Sequence, residues 1–142
     1  MVVHGAAEAE AALRAAREAG AGVVLLSARH AGAFPGPRVV AAFLDRAASR
    51  VPGAPHARVL DCGAAPGHAL HAIRGGWRAV VLDPSVAAYG AVASAAAEAG
   101  ARVLPARPEA LDLSRVDLRR EGGRRLLGAW LLTGARARPG AG

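Results

Sequence analysis

The stretch VLDCGAAPGHAL, residues 59–70, gathers several groups that could act on a ligand. Asp61 supplies a carboxylate, while Gly63 and Gly67 carry no side chain to hold a ligand away from the backbone. Pro66 suits the first turn of a helix. A helix that begins there turns unpaired N–H groups and its positive end toward an anion. Ala65 and His68 flank that start.

Ligands of parallel α/β sheets bind beyond the carboxyl ends of the strands, so the residues just after each apolar run matter most. They include Ser27, Arg29 and His30, then Asp83 and Ser85, and then Arg107. The expected ligand-binding residues are Asp61, Gly63, Ala65, Gly67, His68, Asp83, Ser85 and His30, and the expected ligand is a small anion such as phosphate. No catalytic residue is assigned. His68 and His71 could join Asp61 or Cys62 around a metal, but their spacing matches no zinc pattern and no metal is expected. Cys62, His30 and Asp83 could imitate a thiol nucleophile with its base. A lone cysteine late in a buried strand is more simply a small core residue.

Four runs must position these groups: GVVLLSA (22–28), ARVLDCG (57–63), RAVVLDPS (78–85) and ARVLPAR (101–107). Their apolar residues are contiguous, as in strands of a parallel sheet buried on both faces. Helical segments alternate with them. AAEAEAALRAAREAG comes before the first run, and PRVVAAFLDRAASR shows an amphipathic pattern through Val40, Phe43, Leu44 and Ala47. PGHALHAIRGG starts at Pro66 and stops at Gly75 and Gly76. PSVAAYGAVASAAAEAG takes Ser85 as its expected N-cap and buries Val86, Tyr89 and Val92. After the fourth run, an irregular PEALDLSRVDL turns Leu111, Leu113, Val116 and Leu118 inward, and GGRRLLGAWLL forms a last helix on Leu127, Trp130 and Leu131.

The order predicts an α/β fold: a single domain over residues 1–132 with a parallel sheet of about four strands and flanking helices, then a flexible tail over 133–142. An open three-layer sandwich is the preferred architecture. The alternative is a half (βα) barrel, in which successive strands are neighbours. A sheet face left partly uncovered would suit a homodimer.

Composition narrows the partners. Among 142 residues the 18 basic ones are all arginine, which reads as coding bias. Residues 101–142 hold 9 arginines against 4 acids, yet this segment has no aromatic interleaving for base stacking, so nucleic acid is not expected as a partner. Glutamates stand in residues 1–20 where a signal peptide would carry a basic end and an apolar run. No run is long enough to span a bilayer. With a single cysteine, the expected setting is a cytoplasm without disulfides or membrane contact.

DCGAAPG, with Asp83 ending the next run, resembles the cofactor-binding segment of class I S-adenosylmethionine-dependent methyltransferases over residues 57–85. The resemblance implies that Asp61, Gly63, Ala65 and Gly67 line the methionine part of S-adenosylmethionine and that Asp83 holds the ribose hydroxyls. Arg107 stands where that family's third strand usually ends in an acidic residue. Two functional expectations remain open: a binding or accessory domain for a small anion, and a truncated or divergent domain that binds S-adenosylmethionine.

Overall fold

The computed structural model describes residues 1–134. It is an α/β fold whose open sheet has five parallel strands: β1 (Val2–Val3), β2 (Val23–Ser27), β3 (His56–Asp61), β4 (Ala79–Val81) and β5 (Arg102–Leu104). The helices are α1 (Ala6–Ala19), α2 (Pro37–Arg50), α3 (Pro66–Arg74), α4 (Tyr89–Glu98) and α5 (Glu121–Gly134), with a 3₁₀ turn at Leu113–Arg115. Strand order is β1-β2-β3-β4-β5, so successive strands are neighbours in a sheet that does not close.

The additional strand is β1. Two valines are too short a run to reveal a strand by pattern, and pairing makes them one. The expected strands appear at the expected places, and β4 illustrates why the runs are contiguous: Val80 and Val81 are both buried. Val24 on β2 departs from this rule at 42% exposure.

The chain forms two compact units. The first takes residues 1–25, 43–57 and 110 onward. In it α1 packs on α5, and the fully buried Ala9, Ala12, Leu13 and Ala16 line one side of α1 at helical spacing. Leu44, Leu113 and Leu127 are buried in the same unit. The second takes residues 26–42 and 58–109. Its core holds Leu26, Leu60, Val80, Leu82, Val92 and Ala96, with α3 against α4 and β4, and α4 against β5.

Two expected boundaries shift. Ser85 is not a helix cap, because the Asp83 carboxylate accepts the Ser85 N–H at 2.8 Å and the Asp83 carbonyl accepts the Val86 N–H at 3.3 Å. This local turn competes with helix, and α4 starts only at Tyr89. At the other end α5 continues through Gly134, two residues into the segment expected as a loose tail. The rest of that tail, residues 135–142, lies outside the described residues. Among the described residues, no helix is long and apolar enough to cross a membrane.

Candidate functional site

Every residue of the candidate site belongs to the second unit. Parallel pairing aligns the strand ends: Asp61 of β3 sits opposite Val81 of β4, and Val81 opposite Leu104 of β5. Pairing continues past these ends, since Cys62 N–H donates to the Val81 carbonyl at 2.9 Å and Asp83 N–H donates to the Gly63 carbonyl at 2.8 Å. The turn after β3 is therefore tied to the turn after β4.

Asp61 is the hub. It is 3% exposed, and one carboxylate oxygen accepts the His30 N–H at 3.0 Å and the Gly63 N–H at 2.9 Å. The other accepts the Arg107 guanidinium at 2.5 Å. The second arm of that guanidinium donates to the Ser27 carbonyl at 3.0 Å, and the Ser27 hydroxyl accepts the Asp61 N–H at 2.9 Å. No buried side-chain nitrogen or oxygen is left without a partner among the described residues, as buried polar groups require.

Burial pushes the Asp61 carboxyl upward, but the Arg107 hydrogen bond, the His30 and Gly63 N–H groups and the Arg107 charge together outweigh it. Its pKa lies below the ordinary carboxylate value. Asp61 is thus a charged, neutralised strut rather than a free ligand group.

The loop of residues 28–36, between β2 and α2, hangs on this hub. Gly32 N–H donates to the Asp61 carbonyl at 2.8 Å, while a side chain on Gly32 would meet the Cys62 sulfur at 2.7 Å. His30 adopts φ 58, in the left-handed region that glycine favours. Its carbonyl accepts the Ala33 N–H at 2.9 Å, and its ring lies over Gly63, where a Cβ would come 2.1 Å from Nδ1. The missing side chain of Gly63 is filled by an imidazole.

Helix α3 begins at Pro66, as its sequence predicts. Gly67 and His68 lie in its first turn, where N–H groups have no partner within a helix, and His68 is exposed. Ala65 stands at the cap position without a side-chain cap. Asp83 and Ser85 are exposed on the next turn; the Ser85 backbone and side chain lower the Asp83 pKa.

Cys62 does not form the thiol nucleophile considered above. It is 2% exposed, and burial, with the Asp61 charge adding to it, pushes its thiol up to about 12. About one thiol in ten thousand is then ionised at pH 8. Native protein should resist iodoacetamide at pH 8 and label only when unfolded, a result that intact mass reads directly. His68 and His71 are both exposed, and no group of three or more metal-ligating side chains occurs among the described residues.

The sequence-based list omits the residues that hold the site together. Arg107, Ser27 and Gly32 each engage Asp61 or its neighbour, across as many as 46 residues for Arg107. The available signal was an arginine just past the last strand, at the same sheet edge as an aspartate expected at the end of a buried strand.

S-adenosylmethionine does not fit these residues as they are held. The Gly63 surface is covered by His30, and both Asp61 oxygens are engaged. Only Asp83 keeps the exposure that the resemblance requires. In comparisons with known proteins, the chain matches no family model and no curated protein.

Proposed function

We propose that this protein is a binding domain for a small phosphate-like anion, seated where the turn after β3 enters α3. The observation that carries this reading is the charge left over at that edge. Arg107 cancels Asp61. His30 and His68 remain exposed, together with the first-turn N–H groups of α3, against the single exposed carboxylate of Asp83. Unpaired N–H groups at a helix start favour an anion over a neutral ligand.

A thermal-shift panel tests the proposal. Inorganic phosphate or a sugar phosphate in the millimolar range should raise Tm, by about 2.7 kcal/mol of linkage at a hundredfold excess over Kd. Sodium chloride at equal ionic strength should not. S-adenosylmethionine should give no shift, because its methionine end would have to displace His30 from Gly63. A shift with S-adenosylmethionine and none with phosphate would reverse the assignment.

A further inference from the structure

We infer that His30 is the residue that contacts the anion, and that the Asp61 network exists to present its imidazole. This deepens the function proposed above and rests on it. Three unusual features converge on this one side chain. His30 is the only residue other than glycine with positive φ among those described. Its N–H is held by a buried carboxylate whose charge is cancelled by a largely buried arginine. Its ring occupies the space that a side chain on Gly63 would need.

Each feature is unfavourable unless it serves something. Left-handed backbone disfavours side chains with a Cβ, and a buried ion pair is often no more stable than an apolar replacement. Strain of this kind collects at functional sites when surrounding structure overdetermines it. Here the surroundings do so: the His30 N–H is bound to Asp61 and its carbonyl to Ala33, while Gly32 is pinned against Cys62. The ring alone is unengaged, since no hydrogen bond or ion pair reaches it among the described residues, and the residue is exposed. A fully committed backbone thus carries an uncommitted imidazole, fixed before any ligand arrives. This is how a binding group is preorganised. The ligand class is a phosphate monoester, whose oxygens accept from the imidazole N–H while the remainder faces the α3 start.

The test uses His30→Gly on the full chain, with inorganic phosphate as the probe. Glycine accepts the left-handed backbone, so Tm should stay level or rise, while phosphate affinity should fall about tenfold or more through loss of a charge-assisted hydrogen bond. Equal phosphate binding by wild type and variant overturns the role of His30 but leaves the anion site standing. If wild-type protein binds no phosphate, the anion site fails and this inference with it. Should His30→Gly lose stability, His30→Asn decides, because asparagine tolerates the same backbone. A folded His30→Asn variant with about tenfold weaker binding supports the inference, and one with wild-type affinity overturns it.

Discussion

Replacing Arg107 with methionine should destabilise the protein by about 3–5 kcal/mol at pH 7, because it strands the Asp61 carboxylate in the interior. Asp61 is 5% exposed at its side chain and Arg107 15%, so solvent cannot replace the lost partner. The Ser27 carbonyl loses a donor as well. For a chain of this size, the expected fall in Tm is roughly 8–15 °C.

The pH dependence gives the cause. In wild-type protein the Asp61 pKa lies below its unfolded value. Its contribution is therefore fully present above the unfolded pKa, near 4, and is lost as pH falls through the folded pKa. In Arg107→Met, burial without a partner raises that pKa, and the penalty disappears once Asp61 is protonated. The gap in Tm between the two proteins should be widest at neutral pH and should close toward about pH 3. A gap that stays constant would mean that Arg107 contributes packing rather than charge. Circular dichroism melts across this range measure it.

The second large effect is expected from Gly32→Ala. A Cβ there would lie 2.7 Å from the Cys62 sulfur, 3.2 Å from the Asp61 carbonyl oxygen and 3.3 Å from the Cys62 Cα. Two of these are backbone atoms, and the sulfur is buried, so no flexible side-chain end can swing away. Relief must come from moving loop 28–36 off β3, which lengthens the His30 and Gly32 hydrogen bonds to Asp61. Overpacking of this type costs about 1–3 kcal/mol. Phosphate binding should weaken even at temperatures where the variant is folded, since the loop that moves carries His30. Gly36→Ala is the control: φ 98 strains the backbone there, but nothing lies within 4 Å of the new Cβ. It should lower Tm while leaving phosphate affinity intact.

Much of the fold could be read from the chain because its signals are local. Contiguous valines and leucines mark β2 to β5, and the pattern through Val40, Leu44 and Ala47 places α2 at its observed bounds. Pro66 places the start of α3. What escaped depends on pairing or competition. Strand β1 is two residues held by a neighbour, and the late start of α4 reflects Asp83 capturing the N–H groups that Ser85 and Val86 would have given to a helix.

The site divides in the same way. The turn after β3 was legible from its glycines and Pro66. Its partner Arg107 was not, because only the adjacency of β3, β4 and β5 brings that side chain to Asp61. The left-handed backbone of His30 was also hidden, since nothing local demands it. It accompanies the contact with Gly63 and the hydrogen bond to Asp61, both remote in sequence. DCGAAPG thus looks from sequence like an open cofactor loop and is, in the fold, a closed joint that holds a histidine.

The most direct test is a residue-resolved amide titration of the full chain with inorganic phosphate. The perturbed signals should be His30 and Gly63 to His68, excluding Pro66, and they should saturate together with one dissociation constant. Saturable shifts centred on the exposed arginines of residues 119–125, with the turn after β3 silent, would contradict the account.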